Sequence, residues 1–138
     1  MTKPFALLSV LLAAACASPL PAPTRAAAPT PESFTGTRWV GAGSDPKDRN
    51  APALEFVTEG RLAGYTGCNL MSGAWRIEAG ELRIGRLVAT KRMCMGPESE
   101  VEKRVLAVLV ESARFTREGD RLVAATPQGA RYEFVRAP

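Results

Sequence analysis

Three cysteines are the side chains of this 138-residue sequence best suited to chemistry. Cys68 stands inside the stretch GYTGCN at residues 64–69, Cys94 follows further along, and Cys16 lies near the beginning. A cysteine can serve as a nucleophile, bind a metal or be oxidised to a disulfide. The sequence contains no histidine, which excludes Ser-His-Asp and Cys-His catalytic arrangements and histidine-ligated zinc. The roles of the cysteines therefore depend on where the chain is located.

The N-terminal residues have the layout of a bacterial export signal. Lys3 is followed by an apolar run over residues 5–15 and then by Cys16. This run is shorter than the roughly 20 residues that span a bilayer, so a permanent transmembrane helix is not expected. Residues 13–16, Ala-Ala-Ala-Cys, resemble a lipobox, which predicts removal of residues 1–15 and attachment of acyl chains such as palmitate to Cys16. Secretory cleavage after Ala17 remains an alternative and would discard Cys16.

A proline- and alanine-rich tether is predicted after the lipid-bearing cysteine, over residues 16–33. Proline at this density prevents regular helix and sheet and favours an extended polyproline conformation. Ala17 is not the aspartate that resembles an inner-membrane retention signal. These features predict an exported protein whose N-terminal lipid anchors it to the cell envelope, at the outer membrane and facing the periplasm. The domain is predicted to follow over residues 34–138.

With Cys16 assigned to lipid, Cys68 and Cys94 both lie in the exported part of the chain. An oxidising compartment favours a disulfide between them. A metal site would need two more soft ligands, and neither histidine nor a further cysteine supplies them. A catalytic thiol would need an activating base or cation; Arg92 lies near Cys94, but nothing makes that pairing specific. A redox-active pair remains an alternative to the structural disulfide.

Alternating apolar and polar residues from residue 34 onward predict half-buried strands around one core. Leu54 and Phe56 flank Glu55, for example, and glycine-containing turns separate such segments. Trp39 and Trp75 are expected to fill the core. The pattern predicts a mostly β, antiparallel fold with eight or nine short strands, at residues 37–42, 53–57, 61–67, 73–78, 81–85, 87–90, 114–117, 121–125 and 130–136.

One α-helix is predicted before the last strands. Pro97 suits the first helical position, and Glu98 and Glu100 complement the positive end of the helix dipole. A stripe of side chains should face the sheet, and two further apolar residues widen it, so the helix should be well covered and should close one face or end of a sheet-based barrel. The stripe comprises Val101, Val105, Val108, Leu109 and Ser112, widened by Leu106 and Val110.

The charged residues point to no cofactor, metal or nucleic acid. Glu78 and Glu81 flank a predicted turn, where exposed acids are common, so they are not expected to form a glycosidase carboxylate pair. Asp45 and Asp48 supply too few oxygens for a calcium site. The net charge of +4 comes mostly from arginines that alternate with glutamates along the chain, which is unlike a basic stripe that binds nucleic acid.

Three segments of the sequence resemble the signature of the META domain, the HslJ-like lipoprotein family. The resemblance covers about residues 34–136. The second segment departs from the family pattern, because Thr90 stands three residues before Met93. The matching positions are Gly64, Gly67, Cys68, Asn69 and Gly73 in the first segment, Leu87, Thr90, Met93 and Cys94 in the second, and Glu102, Val105, Leu106 and Leu109 in the third.

The resemblance implies a compact β-barrel-like fold with one helix, in envelope or secreted proteins, and a link to heat shock. It carries over no catalytic residues. Physically, the glycines indicate a tight backbone path, and Asn69 is suited to a left-handed conformation in which it bonds its own backbone. A structural role is the favoured interpretation of these positions, and a ligand-contacting loop is the alternative.

Three functions from different classes remain. The first is a non-enzymatic envelope lipoprotein that binds or stabilises an unknown envelope protein or small ligand under stress. The second is a small secreted or tethered inhibitor or ligand carrier that uses the barrel mouth. The third is an enzyme or thiol redox protein that uses Cys68 and Cys94. A deep apolar cavity would favour the second, and a filled barrel would favour the first.

Overall fold

The alternating segments form eight strands that close into an antiparallel barrel, in a computed structural model that describes residues 28–138 apart from Glu59. The predicted signal peptide, Cys16 and most of the tether lie outside the described residues. The strands are β1 Thr37–Gly41, β2 Ala53–Thr58, β3 Arg61–Tyr65, β4 Leu70–Glu78, β5 Glu81–Ala89, β6 Arg114–Glu118, β7 Arg121–Ala125 and β8 Arg131–Arg136. Helix α1, Pro97–Val108, lies between β5 and β6, which confirms the predicted mostly β fold with a helix before the last strands.

Each strand pairs with the next one along the chain, and β8 returns to pair with β1. Val40 of β1 lies opposite Val135 of β8, which completes the closure. Ion pairs between neighbouring strands lie on the outer surface, such as Arg121 of β7 with Glu133 of β8 at 2.7 Å. The hydrogen bond from Arg121 lowers the pKa of the Glu133 carboxyl.

The predicted division of residues 81–85 and 87–90 into two strands is wrong, because residues 81–89 form the single strand β5. The register between β4 and β5 shifts between Gly73 and Trp75, whose partners are Leu87 and Ile84. One extra residue therefore lies on β5 around Gly85, and this β-bulge bends the strand without ending it. The strand β4 also begins earlier than predicted, at Leu70.

Aromatic side chains fill the interior of the barrel. Trp39, Phe56 and Phe134 are fully buried, and Trp75 nearly so, as predicted for the two tryptophans. The ring of Phe34 packs on that of Phe56 with centroids 5.0 Å apart, and Trp75 meets Phe56 edge-on. The barrel is thus a packed core.

Helix α1 contributes one side to this core and leaves the other exposed. Val105 and Val108 are fully buried, and Leu109, just past the end of α1, is nearly so. Leu106 and Val110 are 37% and 39% exposed, so the prediction that the widened stripe is covered is wrong. The helix also stops at Val108, before Ser112. No helix among residues 28–138 is long and apolar enough to cross a bilayer.

The end of the predicted tether is folded. Pro31–Ser33 form a 3-10 turn, which corrects the expectation of an extended chain up to residue 33. Arg117 holds this turn: its Nη1 donates to the Ser33 carbonyl at 2.8 Å, and its guanidinium lies 5.3 Å from the centroid of the Phe34 ring.

The two ends of the barrel carry different parts of the chain. Because consecutive strands are antiparallel, the connections from β2 to β3, from β4 to β5 and from β6 to β7 share one end with the start of β1. We call this the entry end. The loop at 66–69, the segment 90–96 and the first turn of α1 lie at the other end, which we call the motif end.

Candidate functional site

Asn69 is the centre of the motif end. Its side chain is buried and crosses from the loop at 66–69 to the segment 90–96. Its Oδ1 accepts hydrogen bonds from the Arg92 backbone N–H at 2.7 Å and from the Thr90 hydroxyl at 2.8 Å. Its Nδ2 donates to the Arg92 carbonyl at 3.2 Å and to Glu102 Oε1 at 2.9 Å. One amide therefore joins three segments that are distant in sequence.

Thr66 adds a second link between the loop and helix α1. Its hydroxyl donates to Glu102 Oε1 at 2.7 Å and accepts from the backbone N–H groups of Asn69 at 2.8 Å and Cys68 at 3.2 Å. The side chain is fully buried. The carboxylate of Glu102 thus receives two hydrogen bonds from the loop, and these fix the first turns of the helix against it.

A disulfide joins Cys68 and Cys94, whose Cα atoms are 6.0 Å apart. Cys68 is buried, and the bond ties the start of β4 to the residues just before α1. Because the two sulfur atoms are bonded to each other, neither is a thiol in this structure. We call the disulfide with Thr66, Asn69, Thr90 and Glu102 the motif cluster.

The motif glycines lie where a side chain would collide with a neighbour. A Cβ on Gly64 would meet the carbonyl oxygen of Ala53 on the adjacent strand, which backbone movement alone could relieve. Gly67 has a φ of 99°, and a Cβ on this residue would lie 2.8 Å from the Cγ1 atom of Val101 in α1. Gly73 faces Leu87 in the same way. The tight backbone path expected from the glycines is therefore present.

Asn69 does not act as expected from the sequence. Ala79 is the non-glycine residue with positive φ among the described residues, so the predicted left-handed conformation of Asn69 is wrong. The Asn69 side chain bonds distant segments rather than its own backbone. Sequence reasoning also missed Thr66, which stands three residues before Asn69, a spacing typical of a hydroxyl that accepts from a turn.

Met93 is a motif position that lies outside the packed motif cluster. Its side chain is 91% exposed, and that of Met95 is 80% exposed, while Cys94 between them is held by the disulfide. Both methionines border a surface groove of about 520 Å³ that also includes Tyr65 and Asp48. The motif end thus presents two flexible apolar side chains on a backbone that is fixed.

Charged residues elsewhere on the surface form ordinary pairs. Lys103 donates to Glu100 on α1 at 2.7 Å, and this hydrogen bond lowers the pKa of the Glu100 carboxyl. Glu81 pairs with Arg83, whereas Asp45 accepts a hydrogen bond from a backbone N–H in its own loop. Within residues 28–138, no cluster of three or more cysteine or acidic side chains is placed to hold a metal ion.

The polar groups of the motif cluster are engaged with one another. The amide of Asn69 has partners on both its oxygen and its nitrogen, and the Thr66 hydroxyl both donates and accepts. An arrangement of this kind stabilises loops, because each buried donor and acceptor is satisfied internally. Its geometry therefore holds the segment 90–96 in place.

Comparison with known proteins identifies relatives in sequence and in structure. The family model of the META domain matches residues 30–138. The heat shock protein HslJ of Escherichia coli (strain K12) is 29% identical over 102 residues, which cover 70% of this chain and 72% of that protein.

Two structures solved by NMR have a similar fold. The first is 27% identical, with a TM-score of 0.61, and the match covers 77% of this chain and 93% of that chain. The second, a protein from Burkholderia xenovorans, is 20% identical with a TM-score of 0.58 and covers 86% of this chain and 98% of that chain. The second similarity bears on the fold alone.

Proposed function

The chain belongs to the META domain family, and on that premise we propose that it is a non-enzymatic binding module, anchored to the bacterial cell envelope by a lipid on Cys16. Its partner would be an envelope protein that contacts the motif end. The proposal joins an anchor, which comes from the N-terminal sequence, to a binding surface, which comes from the barrel. The two parts are tested separately.

The observation that carries the binding role is the exposure of Met93 and Met95 on a fixed backbone. Methionine is flexible and polarizable, and it is over-used on surfaces that bind proteins. The disulfide at Cys94 and the two hydrogen bonds between Asn69 and the Arg92 backbone hold the segment in one conformation. A preformed segment loses less conformational entropy when a partner binds than a mobile one does.

A non-enzymatic role is supported by the way the motif cluster satisfies its own polar groups. A nucleophile or general base must have an atom free to meet the substrate. In this cluster Thr66, Asn69 and Glu102 bond one another, and Cys68 and Cys94 form the disulfide. The cluster is therefore better suited to support a binding segment than to react.

A small-ligand carrier remains a second candidate, because Met93 and Met95 border the surface groove with Tyr65 and Asp48. The packed interior argues against a ligand inside the barrel, since Trp39, Phe56 and Phe134 fill it. A carrier of this kind would have to hold its ligand in the open groove at the motif end.

A connection to stress is supported by the name of one relative, the heat shock protein HslJ. We propose that this chain acts under envelope stress. The N-terminal sequence supports export, because the apolar run and Cys16 resemble a lipoprotein signal. Attachment by several acyl chains would be firm, since each buried methylene adds about 0.8 kcal/mol of membrane affinity.

The anchor predicts the location of the full chain when it is produced in a bacterium. We expect the protein in the membrane fraction, with a mature N-terminus at Cys16 whose mass includes acyl chains. The Cys16→Ser variant should lack this modification, because the serine hydroxyl does not take the place of the thiol in lipidation. Mass spectrometry of the purified N-terminus is the measurement. A product that begins at unmodified Ser18 would reject the anchor and leave the binding role untouched.

The binding role predicts a contact at position 93. A photo-reactive amino acid placed there in the full chain, in the native cells, should give one discrete cross-linked product. The same group at position 57, where an exposed valine lies in β2, is the matched control and should give none. Substituting Met95 with Glu should reduce the product, because a charge there disfavours apolar contact. Equal cross-linking from both positions would count against a specific surface.

A further inference from the structure

The barrel has one seam at which two neighbouring strands barely meet. A single pair of residues, Leu82 of β5 and Phe115 of β6, is in register between these two strands. The strand β6 begins at Arg114, whereas β5 continues to Ala89. Residues 85–89 of β5 therefore extend past the end of β6, and in the described part of the chain no backbone hydrogen bond joins them to a neighbour on that side.

The direction of the unpaired backbone groups follows from the pairing with β4. The N–H of Thr90 donates to the carbonyl of Leu70, so Thr90 directs its backbone groups towards the β4 side. Alternate residues of a strand direct these groups to opposite edges. The backbone N–H and C=O groups of Val88 therefore point towards β4. Those of Leu87 and Ala89 point away from it. These four groups form a free strand edge, the kind of edge that proteins otherwise cover or pair.

Helix α1 and the residues that follow it form the wall opposite this edge. Between them lies a groove of about 720 Å³, bordered by Leu87 on one side and by Leu106, Leu109 and Val110 on the other. Leu106 and Val110 are apolar residues of this wall whose side chains remain exposed. An unpaired strand edge and an apolar wall thus face the same space.

We propose that this groove binds an extended peptide segment of a partner protein, which adds a strand along residues 85–89 of β5. The unpaired N–H and C=O groups select a peptide main chain, because a main chain supplies both donors and acceptors at the strand spacing. Lipid chains and apolar small molecules do not supply them. Apolar side chains at alternate positions of the peptide would contact Leu106 and Val110.

The wall formed by α1 makes a second copy of the barrel a poor occupant. A second β5 edge would bring its own helix into the same space, because α1 borders the edge in each copy. A single extended segment has no such obstacle. The site lies on the outer side of the barrel, apart from Met93 and the surface groove at the motif end, so it does not depend on the anchor or on the proposed role of that segment.

The test uses an acetylated and amidated peptide of alternating threonine and valine flanked by lysines, added to the full chain in detergent. Amide hydrogen exchange measured by NMR should slow about tenfold or more at Leu87 and Ala89 when the peptide saturates the protein. The amide of Val123, in the middle of β7, is the internal reference and should not change. The same peptide with every main-chain amide methylated should not protect either residue, because it has lost its donors and cannot pair closely.

Variants locate the binding on the groove. Val110→Lys should weaken peptide binding about tenfold, since it puts a charge in the apolar wall. Val135→Lys is the matched control, because Val135 is exposed to a similar degree, at 36%, on β8. Leu106→Glu repeats the test at the other exposed wall residue. Both wall positions are exposed, so these variants should fold, and exchange of the core amides checks this.

Four results would overturn the proposal. Equal protection by the methylated peptide would show that main-chain pairing is not involved. Protection confined to the segment 90–96 would place the binding elsewhere. If Leu87 is protected in the absence of peptide and this protection rises with protein concentration, the occupant is a second copy. If the protection in the absence of peptide disappears when residues 1–27 are removed, the occupant is the chain's own N-terminal segment.

Discussion

Replacing Asn69 with leucine is expected to lower the free energy of unfolding by about 3 to 5 kcal/mol, because a buried amide is removed and its partners stay behind. The Arg92 N–H, the Thr90 hydroxyl and the Glu102 carboxylate would all lose a hydrogen bond. For a domain of this size the change corresponds to a fall in Tm of roughly 12 to 20 °C. Urea and thermal unfolding of the variant and the parent chain are the measurements.

Asn50→Leu is the control for this prediction, because Asn50 is the other asparagine of the chain and is exposed. Its effect should stay within about 0.5 kcal/mol, as for most surface substitutions. A second measurement separates the motif cluster from general packing: hydrogen exchange of the Arg92 amide should accelerate in Asn69→Leu. A loss below about 1 kcal/mol, or an unchanged Arg92 amide, would contradict the central role of Asn69.

Removing the disulfide through Cys68→Ala and Cys94→Ala is expected to cost about 3 to 4 kcal/mol in the free energy of unfolding. The cysteines are 26 positions apart, and opening a loop of this length gives the unfolded chain the conformational freedom that the bond removes. Thermal unfolding with and without a reductant is the measurement. The parent chain should lose stability in reductant, and the double variant should be indifferent to it.

Cys16→Ala controls for the loss of a cysteine as such, because it leaves the internal disulfide intact. Its unfolding should match that of the parent chain and should keep the sensitivity to reductant. A double variant as stable as the parent would show that the motif cluster holds the loop without the bond. In that case the hydrogen bonds of Asn69 and Thr66 would be sufficient to fix the segment 90–96.

Local alternation was enough to predict most of the barrel. Leu54 and Phe56 face the core while Glu55 faces out, and this pattern depends on neighbours along one strand. Gly85 shows the limit of such reasoning. A glycine inside an alternating segment is consistent with a break or with a bulge, and only the register with β4 decides between them.

Apart from Thr66, the members of the motif cluster could be predicted from the sequence, but their contacts could not. Asn69 stands among turn-forming residues, so its sequence context indicates a local turn. Its partners Arg92 and Glu102 are 23 and 33 residues away, and it is the fold that brings them together. The exposure of Leu106 and Val110 was unpredictable for the same reason, since a helical stripe does not show how far the barrel reaches along it.

The Pro31–Ser33 turn and the segment with Met93 lie at opposite ends of the barrel. Arg117 fixes the chain where it joins the barrel, so the chain enters the barrel at the entry end. If Cys16 carries lipid, as we propose, the methionines would lie at the end of the barrel opposite to the end at which the chain enters it. A partner would then reach them without passing the residues through which the barrel is attached.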